Sequence, residues 1–233
     1  SVHQHTRSAS DAASAILRSA ERLATDLIVI GAQGARAWRR EMGGTAAKIV
    51  RGATCPVLTV GPSGGRAPEF VQRILVPTDF SPAARCALQV AEAMAYWLDA
   101  ELLLLHVVPP TTHPLVRRDR PPQSATRWAE TLSKVEDSLR ACAREEQLAV
   151  RCRVLTEQAR PADGILALAR RYDAHLIVQG SCGRAGSAGD LGSVATEVVR
   201  RAQCSVVTVK GEPLSQPATA PAQETAEAGA DLS

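Results

Sequence analysis

The sequence predicts an α/β protein: a five-stranded parallel doubly wound sheet of order 3-2-1-4-5, with a second, partial copy of the same unit. Three observations carry that expectation. Apolar runs of strand length alternate with segments of helical period. Runs such as Leu102-Leu103-Leu104-Leu105 are apolar without alternation, as strands covered on both faces are. The chain also repeats itself. A shift of 149 residues brings Ala13, Ile16 and Leu17 onto Ala162, Ile165 and Leu166. The same shift lays Leu27-Ile28-Val29 on Leu176-Ile177-Val178, and Gly31 and Gly34 on Gly180 and Gly183. Further along, Gly43, Val50-Arg51, Cys55 and Val57 meet Gly192, Val199-Arg200, Cys204 and Val206. Each copy reads helix, strand, glycine loop, helix, strand.

Residues 1–60 hold only the second half of such a unit. The stretch 61–72 (GPSGGRAPEFVQ) reads as a linker, and residues 73–210 as the complete unit. Arg73 to Pro77 is a short strand. Ser81-Pro82 has the form of an N-cap and first helical residue, opening a helix to about Leu98. Leu102 to Val107 is the second strand, followed by a proline-rich loop from Pro109 to Gln123. Trp128, Leu132, Val135 and Leu139 recur at helical spacing, and Ala149 to Leu155 reads as the third strand. The second copy of the repeat completes the sheet. Residues 211–233, rich in Ala, Pro, Glu and Gln, are expected to be a disordered tail. A half-sheet buries too little to stand alone. Residues 1–60 are therefore expected to dock on the complete unit or on another chain, with the missing half expected upstream of Ser1.

Composition narrows the function. Of 233 residues 45% are hydrophobic, and Trp, Tyr and Phe number three, two and two, so the cores are expected to be aliphatic. A net charge of +3 with no basic block among aromatics argues against nucleic acid. No apolar run approaches a membrane span or a signal peptide. The six cysteines lack CxxC spacing and fit a reducing cytoplasm better than a disulfide framework.

In open parallel sheets ligands bind beyond the carboxyl ends of the strands, where the strand order reverses. Two loops fall there: Pro77-Thr78-Asp79-Phe80-Ser81, and QGSCGRAGSAGDLGSV from Gln179 to Val194. The first offers a carboxylate that accepts hydrogen bonds from a ribose or base. The second offers backbone N–H groups, the Ser193 hydroxyl and a helix start near Gly192 with its positive dipole end. Together they form a nucleotide-shaped set, with base and ribose at Asp79 and phosphates between Gly180 and Val194.

These residues resemble the universal stress protein family, in RILVPTDFS from Arg73, LLLLHVV, and HLIVQGSCG…GSVATEVVRRAQCSVVTV, with TCPVLTV as the earlier counterpart. The resemblance covers Arg73 to Lys210 and roughly Ala9 to Gly61. It implies a flavodoxin-like (Rossmann-like) fold, often dimeric through the last strand, and a branch that binds ATP through Gly-x2-Gly-x9-Gly-(Ser/Thr). By that resemblance Pro77, Thr78 and Asp79 contact base and ribose, and Val107 packs on the adenine. Gly180, Gly183, Gly192, Ser193 and Val194 hold ribose and phosphates. Two departures stand out: eight residues, not nine, separate Gly183 from Gly192, and Gln179 takes a position commonly apolar. Gly186 and Gly189 give the shortened loop room to readjust. In the first copy Gly31, Gly34 and Gly44-Thr45 satisfy the nine-residue spacing, while the ungapped repeat pairs Gly43 with Gly192. That copy has no counterpart of Asp79 and forms at most a partial second site.

Plainer readings stand beside these. Thr78 and Ser81 also suit capping roles, and His106 and His175 suit structural ones. Cys182 reads as an incidental small residue and Arg184 as either a phosphate partner or a solvated charge. His3 and His5 are too little for a metal site. No Ser-His-Asp order, HExxH or Walker A pattern marks an enzyme. The expectation is a cytoplasmic stress-response protein that binds ATP, with or without Mg, as a regulatory ligand, and at most hydrolyses it slowly. The alternative is a nucleotide-free interaction module. In either case Pro56-Val60 and Ser205-Val209 are expected to pair, within the chain or in a homodimer.

Overall fold

Helix and strand alternate along the chain as the apolar pattern requires. The computed structural model describes residues 4, 11–31, 44–61, 71–109, 125–183 and 191–211. The linker residues 62–70, the tail residues 212–233, and His3 and His5 lie outside the described residues. In chain order the elements are α1 (Ala12–Arg22), β1 (Ile28–Gly31), α2 (Gly44–Gly52), β2 (Val57–Val60), β3 (Arg73–Pro77), α3 (Pro82–Leu98) and β4 (Glu101–Val108). They continue as α4 (Ala125–Glu145), β5 (Cys152–Gln158), α5 (Pro161–Arg171), β6 (Leu176–Gly180), α6 (Ser193–Arg201) and β7 (Ser205–Val209).

One seven-stranded sheet runs β1-β2-β7-β6-β3-β4-β5. The strands of the complete unit lie in the expected order 3-2-1-4-5, with β3 first and β7 fifth. The first copy builds no sheet of its own: β1 pairs parallel with β2, and β2 joins β7 antiparallel, Val57 opposite Thr208 and Thr59 opposite Val206. The remaining neighbours are parallel, in registers such as Leu75 with Ile177 and Leu103 with Arg153. The edge of β7 that a last-strand homodimer would use is thus taken by β2 within the chain.

The third strand differs from expectation, starting at Cys152 rather than Ala149 and running on to Gln158. Its extent follows β4, with Cys152 opposite Leu102 and Gln158 opposite Val108. Ala149 is drawn elsewhere, its N–H donating to the Glu92 carboxylate of α3 at 2.9 Å.

Alternate strand residues feed two aliphatic layers. Val76, Leu104, Val178 and Val207 face a core with Ala87, Ala91 and Ala95 of α3 and Leu139 of α4. Leu75, Leu103, Ile177 and Val206 face the other, with Ile165 and Leu166 of α5 and Val198 of α6. Leu102 to Leu105 are wholly buried, and burying each such side chain contributes about 1.5–3 kcal/mol. Ala13, Ile28, Ile49, Val50 and Val57 form a smaller core in the first copy. Connections leave β3 and β6 to opposite faces, so a crevice opens at the carboxyl ends of these two strands.

Candidate functional site

The loop after β3 is fastened residue by residue. The Thr78 N–H donates to Leu105 O at 2.8 Å, and His106 Nδ1 donates to Thr78 O at 2.7 Å, which clamps the loop to β4. Thr78 Oγ1 accepts from the Phe80 N–H at 3.0 Å, and Asp79 Oδ1 accepts from the Ser81 N–H at 3.0 Å. Ser81 caps α3 by accepting from the Ala84 N–H at 3.2 Å, with Pro82 in the first turn. The turn places Phe80 in the left-handed region at φ 62°, and its ring lies 5.0 Å from that of His106. So Thr78 and Ser81 have the capping roles, and His106 a structural one, that the plainer reading assigns them. Their joint effect is to hold Asp79 out from the strand end.

The loop after β6 comes to meet it. Asp79 Oδ2 lies 2.6 Å from where a Cβ on Gly183 would stand, so a side chain at 183 would displace the carboxylate. At Gly180 a Cβ would fall 2.9 Å from the Ala83 carbonyl carbon; the glycine lets α3 approach the sheet. The Ser181 N–H donates to Val209 O, and Ser181 O accepts from the Gly192 N–H, both at 2.7 Å. The first bond ties the start of the glycine loop to β7, and the second joins it to the residue that opens α6. Arg184, Gly186 and Gly189 lie outside the described residues.

Gly192 is the N-cap of α6, with extended backbone and no side chain to cap with, and among the described residues no side chain accepts from the first-turn N–H groups of α6. Gln179 is buried, and its Nε2 donates to Ala195 O at 3.1 Å, tying β6 to the first turn of α6. That bond accounts for an amide in an apolar layer.

All nine residues singled out in this unit (Pro77, Thr78, Asp79, Val107, Gly180, Gly183, Gly192, Ser193 and Val194) line one cavity of about 600 Å³. Leu105, Val107, Pro161 and Ile165 make its apolar wall. A Cβ on Gly164 would meet Val107 at 2.8 Å, so α5 presses Val107 into position. Pro161 and Ile165 escaped the sequence reading. Their signal was Pro161 itself, a first-turn proline that starts α5 where β5 ends. Among the described residues that line the cavity there is no Lys or Arg. The site sets a carboxylate on one side against helix-end N–H groups on the other.

In the first copy, Gly31 ends β1 and Gly44 and Thr45 open α2, all three exposed. Gly34 and Gly43 lie outside the described residues. α2 begins at Gly44 where α6 begins at Ser193, again a shift of 149, which places Gly43 opposite Gly192. Among the described residues of 1–60, none takes the place of Asp79 or Val107.

The other titratable groups sit apart. His175 lies at the amino end of the sheet, its Nδ1 accepting from the backbone N–H groups of Arg73 and Gln72, each at 3.3 Å. Burial, and then the Arg73 charge, lower its pKa. None of the six cysteines forms a disulfide, and burial raises the pKa of Cys152 and Cys204 to about 11. The described residues contain no cluster of three or more metal-ligating side chains, and no helix long and apolar enough to cross a membrane.

Residues 1–61 and 71–210 match the sequence model of the universal stress protein family. Among solved structures the chain is similar to a universal stress protein from Archaeoglobus fulgidus DSM 4304 at 24% identity and TM-score 0.55, covering 85% of this chain and 64% of that one. It is also similar to universal stress protein UspA from Lactobacillus plantarum, at 25% identity and TM-score 0.50, covering 60% and 98%. A protein from Pseudomonas aeruginosa UCBPP-PA14 shares the fold at 19% identity and TM-score 0.62, covering 84% and 66%. This chain thus spans under two thirds of the Archaeoglobus chain. No curated protein matches it.

Proposed function

Since the chain belongs to the universal stress protein family, we propose that the crevice between the Asp79 loop and α6 binds an adenine nucleotide. ATP, with or without Mg, is the ligand, and the protein is a stress-response regulator rather than a dedicated catalyst. It works in the reducing cytoplasm. Residues 1–60 belong to a first unit, 61–72 link it to a complete unit at 73–210, and 211–233 form a tail.

The observation that carries this reading is the opposition of Asp79 and the uncapped start of α6 across one cavity of about 600 Å³. A volume of that order suits a small-molecule ligand. Asp79 accepts from the ribose, while Thr78 and Pro77 border the base. Val107, with Ile165 behind it, gives the adenine an apolar surface. Gly180, Gly183 and Gly192 let the backbone approach, and the Ser193 and Val194 N–H groups, with the Ser193 hydroxyl, take the phosphates, the Gly192 N–H being held by Ser181 O. Mg, when present, offsets phosphate charge that no lysine or arginine described here meets.

Denaturing purified protein should release adenine nucleotide, and calorimetric titration of emptied protein with ATP-Mg should saturate at one site per chain. Replacing Asp79 with Ala removes a hydrogen bond to a charged acceptor, about 1.5–3 kcal/mol, so affinity should fall ~10–100-fold. No released nucleotide together with no heat on titration would sink the proposal and leave the interaction module.

A further inference from the structure

The two copies present nearly the same apolar stripe on the face of the sheet that carries α3. In the second copy the stripe is Leu176, Val178, Val207 and Val209, with exposures of 4%, 0%, 0% and 1% beneath α3. At a shift of 149 the first copy has Leu27, Val29, Leu58 and Val60, the same side chains but for one Leu in place of Val. Leu27 and Val29 are 39% and 57% exposed, and Leu58 and Val60 are half-buried. The helices of the first copy, α1 and α2, pack on the opposite face, where Ile28 and Val57 join Ala13, Ile49 and Val50. Among the described residues the outer edge of β1 also lacks a neighbour, whereas its counterpart β6 pairs there with β3. A cavity of about 960 Å³ reaches Leu58 and Val60 between Val71 and the end of α3 at Met94 and Leu98.

We propose that this stripe is the seat of a strand–helix segment of the β3–α3 kind, supplied from outside residues 1–233. Its strand pairs parallel with β1, as β3 does with β6, and its helix lies over Leu27, Val29, Leu58 and Val60. The chemistry required can be read from α3, whose buried face is made largely of Ala83, Ala84, Ala87, Ala91 and Ala95. Small side chains let a helix lie close to a flat aliphatic sheet. The glycine that admits α3 at Gly180 recurs as Gly31, exposed in this chain. Within residues 1–233 an apolar strand followed by an alanine-rich helix occurs at Arg73–Leu98, and that segment already covers the second copy.

The test is a chain with an extra copy of residues 71–158 joined ahead of Ser1 by a flexible linker. Its Tm should exceed that of residues 1–233 by at least ~5 °C, and the β1 amides should gain protection from hydrogen exchange. Val29→Asp should lower the Tm of the extended chain and leave that of residues 1–233 nearly unchanged. Independently of that fusion, residues 1–233 should bind an apolar dye whose signal Val29→Asp cuts by half or more. Three results would each overturn the proposal. One is an equal response to Val29→Asp in both chains with no rise in Tm. Another is dye binding that Val29→Asp leaves unaltered. The last is a concentration-dependent dimer of residues 1–233 that Val29→Asp dissociates, which would make a second copy of this chain the occupant.

Discussion

β1 and β6 stand at the same place in the repeat, and each leads through a glycine loop to a nine-residue helix. The helices before them, α1 and α5, both run eleven residues, with bounds offset by 149. Around β6 this framework faces Asp79 and Val107 across a cavity; around β1 no described residue of 1–60 takes their place. The glycine loop is therefore one wall of a site, and the strand–helix half of the unit brings the other. The difference lies in what packs against the loop, which can be probed position by position.

Gly180 and Gly31 make the sharpest contrast. Gly180→Ala would drive a methyl group into the Ala83 backbone at 2.9 Å, where α3 must yield or the strand must bend. Overpacking of that kind costs about 1–3 kcal/mol. Gly31→Ala, at an exposed position, should stay within ~0.5 kcal/mol. Urea melts of the two variants measure the difference. Equal losses would mean that Gly31 is as tightly covered as Gly180, and the comparison would fail.

The seam between the copies gives the next effect. Thr59 and Thr208 are repeat equivalents across the β2–β7 pair, and both hydroxyls are buried without a hydrogen-bond partner among the described residues. Such a group costs about 1–3 kcal/mol, which valine of the same shape avoids. Thr59→Val and Thr208→Val should each raise the stability by ~1 kcal/mol, measured by thermal or urea unfolding. A loss at either site would show that its hydroxyl has a partner, such as a buried water.

Local pattern made the repeat, the alternation of strand and helix and the two loops at the strand ends legible, because periodicity and loop chemistry are properties of short segments. Pro77 and Val107 came from the resemblance to the family. The rest depends on long-range packing. Nothing in the neighbourhood of Asp79 says that its carboxylate lies against Gly183, since that contact needs β3 and β6 to be adjacent. Leu191, just ahead of Gly192, packs against the first-copy core, residues more than a hundred positions away. Gln179 looked like an exception to the apolar strand until α6 supplied Ala195 O as its acceptor. The first copy was expected to dock on the complete unit; that it does so by extending one sheet follows from β2 meeting β7, which no local spacing encodes.

The smallest effect concerns how the first strand of the complete unit is held at its amino end. His175 Nδ1 accepts from the backbone of Arg73 and Gln72, a role that needs a neutral ring. The first copy has Asp26 at this position and, among the described residues, no strand equivalent to β3 for it to hold. Burial and the Arg73 charge place the folded-state pKa of His175 below its ordinary 6.5. Between the two values the unfolded chain binds more protons than the folded one, so stability is full above pH 6.5 and falls as the pH drops through that window. His175→Asn keeps an acceptor that does not titrate, and should flatten this part of the profile while leaving stability at pH 8 nearly unchanged. If wild type and variant decline in parallel from pH 7 to pH 5, protonation of His175 does not loosen β3, and the ring is a spectator at the strand end.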